Sequence, residues 1–350
     1  MVSRRFLSTP VGRLVAGAVI ALACAACGKS AAAPAPAGSA ATHSSTSSST
    51  TTSTGTGTGT GTTSSSTTPA LPGTGKPSIT VGDKNYTEQF LLGQLYLQAL
   101  TAQGFSATLN QNIGPTSVTL QALKAGSLSM YPEYLNVFNS AVAGYKRSFR
   151  TQLGAYQAAQ RYALQHGLQL LAPTPFSDTS AIAVTDAYAA QNRLRTIGDL
   201  RRVDKELTMG GSPQFQQDAP GLPTLASAYG VTPAAFKPLA VGDQYSDLNA
   251  DTVQAAYVST TDGELGTGNY ELLTDPRQIF GFGNVVPVVA GKVLAEEGPA
   301  FVDIIERVDE KLTTGAMRQM NELVDVAQED PATVAKVFLE THNLLTPGVY

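Results

Sequence analysis

Three short polar turns carry the residue types with which a small solute could be held. Asp83-Lys84-Asn85, Gly114-Pro115-Thr116 and Tyr131-Pro132-Glu133-Tyr134 each follow an alternating apolar stretch and precede a helical pattern. Together they offer an amine, a hydroxyl, carboxylates and phenol rings, which are groups for recognition more than for bond making. Each one alone is better explained as a connection. All three falling on one edge of a sheet is what points to a site. Groups for covalent chemistry are sparse. His43, His166 and His342 are scattered, and the only cysteines, Cys24 and Cys27, lie in the N-terminal apolar stretch. That leaves the folded part without disulfides or thiolate metal sites. Gly28-Lys29-Ser30 and Gly73-Thr74-Gly75-Lys76 are not phosphate loops. The first has Ala23 where a glycine is needed, and the second is followed by Pro77 instead of a magnesium-binding hydroxyl. No hydrolase, metalloprotease or calcium-loop spacing occurs, so neither an enzyme nor a cofactor is expected. Net charge is −4 with 14% charged residues, which supplies no basic surface for nucleic acid. There is no tryptophan, so aromatic contacts must come from Tyr or Phe.

The elements that would position these turns are read from hydrophobic period. Ile79 to Gly82 alternates as a strand, and Asn85-x-x-Glu88 has the form of a helix cap with a reciprocal glutamate. Phe90, Leu91, Leu95 and Leu100 then give a helical apolar face up to Gly104. Phe105 to Leu109 is a second strand, a helix from Thr116 ends at Gly126, and Ser127 to Tyr131 is a third strand. This rhythm predicts an α/β lobe with a parallel sheet. Thr179 to Val184 reads as a strand leaving that lobe. Leu207 to Gly210, a helix over Pro223 to Tyr229 and Val253 to Val258 suit a second lobe. Val285 to Val289 is the return strand, followed by a helix over Glu296 to Leu312 and another opened by Asp330-Pro331. The expected division is 77–180 with 285–350 in lobe 1 and 181–284 in lobe 2. Two lobes joined by two crossing strands predict a cleft, with ligands at the carboxyl ends of strands.

The first residues read as an address. Arg4, Arg5 and Arg13 precede an apolar run from Leu14 to Ala26, and then comes Cys27-Gly28. This reads as a secretory signal over residues 1–27, with an uncleaved membrane anchor as the alternative. Cys24-Ala25-Ala26-Cys27 resembles a bacterial lipobox, so Cys27 is the expected lipidation site and Cys24 the alternative. Export by the general or the twin-arginine route stays open. Residues 28–76 are Ala/Pro, then Ser/Thr, then Gly-Thr repeats, with almost nothing apolar to bury. They are expected to form a disordered tether with an r.m.s. reach of roughly 35–40 Å. The body is therefore expected outside the cytoplasm, at the outer face of the cell membrane.

An ordered set of segments carries a family resemblance. They are Val81-Gly-Asp-Lys-Asn-Tyr-Thr-Glu-Gln89, Tyr131-Pro-Glu-Tyr134, Pro173-Thr-Pro-Phe-Ser-Asp-Thr179, Pro220-Gly-Leu-Pro223 and Thr260-Thr-Asp-Gly263. Lys311-Leu-Thr-Thr314 with Met317, Asn321 and Val324-Asp325, then Asp330-Pro331 with Phe338-Leu339, complete the set. From Ile79 to Leu345 the chain resembles the osmoprotectant (glycine betaine/choline) solute-binding proteins of ABC importers. That resemblance implies the type II periplasmic-binding-protein fold, α/β, with two hinge strands and a ligand cleft between the lobes. It also implies delivery of a captured small solute to a permease driven by a cytoplasmic ATPase.

A betaine site needs tyrosine faces for the trimethylammonium and cationic donors for the carboxylate. By the resemblance, Lys84, Thr116, Tyr134 and Asp178 fall at ligand-facing positions, with Asn85 beside them. Ser180, Ser259 and Gly283 fall where members with a complete aromatic box carry rings. Val137 replaces a threonine, and Asp218 stands where an arginine would clasp the carboxylate. Tyr257, Phe215 or Phe282 could partly restore the box. The implied change is one of specificity, toward a neutral polyhydroxylated or cationic molecule, sugar-like or polyphenolic compounds included. Lys84 and Asp178 would act as polar anchors and Tyr134 as a stacking face, with a salt bridge within or between the lobes as the alternative for each. A surface sensor or scaffold with no transport role is the competing function.

Overall fold

In this computed structural model, residues 70–217, 220–240, 242–348 and 350 are described. The signal segment with Cys27, most of the tether, and Asp218 lie outside the described residues. The chain runs through β1 (Ile79–Gly82), β2 (Ala107–Asn110), β3 (Met130–Tyr134) and β4 (Leu168–Leu170) in a first sheet. It then forms β5 (Ser180–Thr185), β6 (Thr208–Gly211), β7 (Ala235–Pro238), β8 (Ala255–Ser259) and β9 (Tyr270–Leu273) in a second, and returns to the first as β10 (Val285–Ala290). The strand orders are β2-β1-β3-β10-β4 and β7-β6-β8-β5-β9. This is a two-lobed α/β architecture.

Neither sheet is purely parallel, which corrects the expectation for the first lobe. β1 runs parallel to β2 and β3, while β10 is antiparallel to both β3 and β4. In the second sheet β6 is parallel to β7 and β8, and β5 is antiparallel to β8 and β9. The antiparallel strands are the ones by which the chain enters or re-enters a lobe, so they come from crossings and not from βαβ units.

The Tyr131-to-Tyr134 segment is strand, not turn. β3 and β10 are buried at every residue, as central strands covered on both faces must be. Pro132 lies directly opposite Pro287. Two prolines can face each other only at a non-hydrogen-bonded pair of an antiparallel ladder, where no bond between the two strands needs their missing N–H groups. Helices pack on this sheet through Leu91, Leu95, Tyr96, Phe301 and Ile305, all fully buried. The second lobe closes its own core around Ile182, Val184, Ile197, Leu200, Met209 and Leu225.

Three further expectations change. The helix read over Glu296 to Leu312 is two helices, Gly291–Glu297 and Pro299–Asp309, because Gly298 at φ 82° and Pro299 end one and start the other. The cap of the helix Thr87–Ala102 is Tyr86 with no side-chain bond, and Glu88 turns inward. Leu71 to Lys76, read as tether, form a turn docked on the body. The Gly73 N–H donates to Gln103 O at 3.0 Å, and a Cβ at Gly73 would fall 2.2 Å from the Phe105 nitrogen. At the other end Asp330 caps the helix Pro331–Thr341 through Thr333 N–H at 3.0 Å, as its sequence implied.

The two crossings between lobes run side by side. Thr174 N–H donates to Val285 O at 2.9 Å and Asp178 N–H to Gly283 O at 3.0 Å. The Asn284 amide bridges Thr174 O and Phe176 O at 2.9 and 3.0 Å. A Cβ at Gly283 would lie 1.6 Å from the Asp178 carbonyl oxygen. Gly283 is therefore required by the pairing of the crossings, and no ring could stand there. Among the described residues no helix is long and apolar enough to cross a membrane.

Candidate functional site

β1 delivers its carboxyl end into a tight buried turn. Asp83 is fully buried and accepts the Asn112 N–H at 2.5 Å, while its carbonyl accepts from Ile113 N–H at 3.1 Å. Burial pushes the Asp83 carboxyl up to about 7, against that backbone bond. The turn projects Lys84 inward, where it is 3% exposed and ion-paired with Glu133 on β3. Thr116, at the start of the next helix, holds its hydroxyl 3.5 Å from the same nitrogen. The ammonium also stands 4.8 Å over the Tyr134 ring and 5.8 Å from that of Tyr86.

Two phenol rings face the cleft from this lobe. Tyr86 and Tyr134 stack with centroids 6.0 Å apart and planes at 27°. The Tyr134 hydroxyl donates to Glu88 at 2.7 Å, and Asn321 donates both to Glu88 at 3.0 Å and to Thr261 O at 2.8 Å. Asn321 can reach both because its helix, Thr314–Asp325, lies tight on the turn after β8. A Cβ on Gly263 would meet the Glu322 Cα at 2.6 Å.

The opposite wall comes from the crossing and from β8. Asp178 accepts the Ser259 hydroxyl, and the Ser259 hydroxyl lies 3.3 Å from that of Thr261. Ser259 N–H donates to Asp262 at 3.1 Å, and the Tyr245 hydroxyl donates to the same carboxylate at 2.8 Å. Ser180 and Ser259 sit opposite each other on β5 and β8. Tyr257, two residues back and so on the same face as Ser259, shares a 2.6 Å hydrogen bond with Ser180. Its ring is backed by Phe215 at 4.3 Å. Where the two serines leave space, Tyr257 supplies a ring.

A cavity of about 340 Å³ lies between these walls, lined among others by Tyr86, Tyr134, Asp178, Ser180, Tyr257 and Ser259. A second, of about 440 Å³, shares Tyr86, Asp178, Ser259 and Asp262 with it and adds Glu88, Tyr245 and Asn321. Both are of the size small-solute pockets have. Of the residues expected here, Tyr134, Asp178, Ser180 and Ser259 line the space. Lys84 and Thr116 form a layer behind it. Asn85 is exposed and lines neither cavity.

Acid dominates the space. Burial raises the Asp178 carboxyl, opposed by hydrogen bonds from Ser259 and Thr261 and by the Lys84 charge. Burial lifts Glu88 to about 8, the negative charge of Asp178 adding to it and bonds from Thr261, Tyr134 and Asn321 opposing it. Burial lifts Asp262 to about 6 against the Tyr245 bond. The nearby cations are Lys84, engaged by Glu133, and Arg318, whose Nε donates to Thr260 O at 2.7 Å. Among the described residues no group of three His, Cys, Asp or Glu is arranged to hold a metal. The arrangement is one of aromatic faces and hydrogen-bond acceptors lining a cleft.

Sequence reasoning passed over Tyr86, Glu88, Glu133, Tyr245, Asp262 and Asn321. All except Tyr245 lie within the segments or positions that carry the resemblance, so membership of those motifs is the usable signal. Glu88 was concealed by its capping-box spacing, and nothing in the local sequence marks Tyr245.

Two α/β lobes joined by paired crossings around a tyrosine-lined, polar cleft define a solute-binding protein. Comparison with known proteins agrees. The family described as the substrate binding domain of ABC-type glycine betaine transport system matches residues 77–341, and the chain belongs to it. A glycine-betaine-binding protein of Pseudomonas aeruginosa is 30% identical over 292 residues, covering 77% of this chain and 90% of that protein. The solved structure of apo YehZ from Escherichia coli superposes with a TM-score of 0.67 at 28% identity, over 76% of this chain and 99% of that one. A crystal structure of a glycine betaine/carnitine/choline ABC transporter protein gives a TM-score of 0.72 at 21% identity, over 76% and 99%. This is the type II periplasmic-binding-protein fold, and the chain is a substrate-binding protein of the osmoprotectant ABC transporter class.

Proposed function

We propose that this protein captures a quaternary-ammonium cation in the cleft between its lobes and delivers it to an ABC permease. It would work at the outer face of the membrane, held by a lipid on Cys27 through the Ser/Thr/Gly-rich tether. One observation carries the choice of ligand: carboxylates outnumber free cations around the tyrosine faces. Glu88, Asp178 and Asp262 approach the cavities, while the ammonium of Lys84 is engaged by Glu133. Glycine betaine and carnitine, the solutes after which relatives are named, share a trimethylammonium head but also carry a carboxylate. The Tyr86 and Tyr134 faces suit the first. The acid-rich wall opposes the second: no free cation is there to pair with it, and any wall carboxyl that ionises against the trimethylammonium repels it. Choline-type cations without an acid therefore fit best.

A thermal-shift series tests this directly. Choline and other hydroxyalkyl trimethylammonium compounds should raise the melting temperature with saturation, while glycine betaine at equal concentration raises it little. Saturable stabilisation by neutral polyols or sugars, with none by the cations, would overturn the reading.

A further inference from the structure

The cleft does not end at Tyr257. A further cavity of about 340 Å³ opens across the wall formed by Asn136, Val137, Ser180 and Tyr257, all four of which also line the first. Its character is different. Tyr145, Phe149, Phe280 and Phe282 bring rings to it from both sides of the cleft, and Arg147 is its one charged residue among the described lining. Tyr145 and Phe149 meet edge to face at 5.8 Å, and Tyr257 and Phe280 lie 6.2 Å apart at 55°. The Arg147 guanidinium rests 4.9 Å from the Phe149 ring and 5.8 Å from that of Tyr145. Among the described residues it has no carboxylate partner in ion-pair range.

We infer that this annex is a second subsite, which takes an aryl group bearing an anionic end, attached to the cation held at Tyr86, Tyr134 and Asp178. The inference rests on the cationic reading of the cleft and extends it to a longer ligand. The geometry supports it in three ways. The two cavities adjoin, with Asn136, Val137, Ser180 and Tyr257 lining both, so a ligand that reaches past Tyr257 would span them. The annex rings meet in edge-on and tilted arrangements that leave faces for an aromatic body. The charge along the cleft is also divided, with carboxylates at one end and an unpaired guanidinium at the other, which orients a molecule with separated opposite charges. A guanidinium already lying over aromatic faces has its fork free for a carboxylate. A compact solute such as choline would leave this half of the cleft empty.

Calorimetric titration of the full chain with choline, benzoylcholine and the 4-carboxybenzoyl ester of choline separates the contributions. Benzoylcholine should bind about tenfold or more tighter than choline, from the ring it buries, and the carboxylated ester tighter again. Phe149→Ala should remove most of the gain from the ring, and Arg147→Ala only the gain from the carboxylate. Both variants should leave choline affinity unchanged. Arg147 is exposed and Phe149 only partly buried, so both should fold, with melting temperature as the check. Choline bound with no gain from the ring, or gains that survive both substitutions, overturns the annex. Benzoate bound with choline unbound would keep the annex and sink the cationic reading instead.

Discussion

Lys84 on the turn after β1 and Glu133 on β3 form a buried ion pair, both side chains almost wholly removed from solvent. The cation that the resemblance assigned to the ligand is thereby occupied within its own lobe. Tyr134 closes over it, and its Oη reaches on to Glu88. The cleft wall is built on this pair. Removing one partner leaves a buried charge alone, which costs on the order of 3–5 kcal/mol. Lys84→Met should lower the unfolding free energy by that amount in a denaturant titration, and Lys84→Met with Glu133→Leu should recover most of it. A Lys84→Met loss below about 1 kcal/mol would show the pair to be solvated.

The raised carboxyls make stability of the unliganded protein depend on pH with a definite sign. Glu88 titrates near 8 when folded against an ordinary 4.5, so between those values the native state holds a proton that the unfolded chain has lost. Stability must then fall as pH rises through that window. Asp83 near 7 and Asp262 near 6 act in the same direction. Unfolding midpoints from pH 5 to 9 should decline, and Glu88→Gln should flatten the upper part of the curve.

Ligand binding should carry the opposite dependence. A cation placed against Asp178 and Glu88 favours their ionised forms, so binding releases protons and weakens as pH falls. Calorimetry of choline in two buffers of different ionisation enthalpy at pH 7 should report net proton release. No release would separate these carboxyls from the ligand.

Gly283→Ala places a methyl group on the Asp178 carbonyl. The crossings cannot pair around it, so a stability loss of about 3–5 kcal/mol or failure to fold is expected by thermal melting. Gly315→Ala, where a Cβ meets nothing within 4 Å, is the matched control and should be close to neutral.

Tyr86 is 39% exposed and supports no core, so Tyr86→Ala should fold normally. Loss of one aromatic face should weaken a quaternary ammonium about 3- to 30-fold, the range for a cation–π contact. Titration with choline measures it.

Element identity was legible wherever period and punctuation agreed. The helix Thr116–Ala125 ends at Gly126 in the left-handed conformation, as its glycine announced, and Asp330-Pro331 opens its helix as written. What misled was context. Pro132 argues against a central strand, and only its position opposite Pro287, 155 residues away, removes the objection. Asn85-x-x-Glu88 satisfies a capping pattern, yet the buried Tyr134 hydroxyl and the Asn321 amide draw Glu88 inward. The cleft was legible through the motifs of the resemblance, and a salt bridge was an open alternative for Lys84, but its partner was not legible, because Glu133 meets it only once β1 and β3 lie side by side. Gly283 read as a lost ring for the same reason: the carbonyl that excludes a side chain belongs to the other crossing.

The most direct test compares choline with glycine betaine on the native chain and on Asp178→Asn. Choline should bind at least about tenfold more tightly than glycine betaine, a difference of roughly 1.4 kcal/mol or more. Asp178→Asn should erase that preference by weakening choline while leaving betaine unchanged or improved. Tighter binding of glycine betaine by the native chain, or a preference that Asp178→Asn does not alter, would contradict the account.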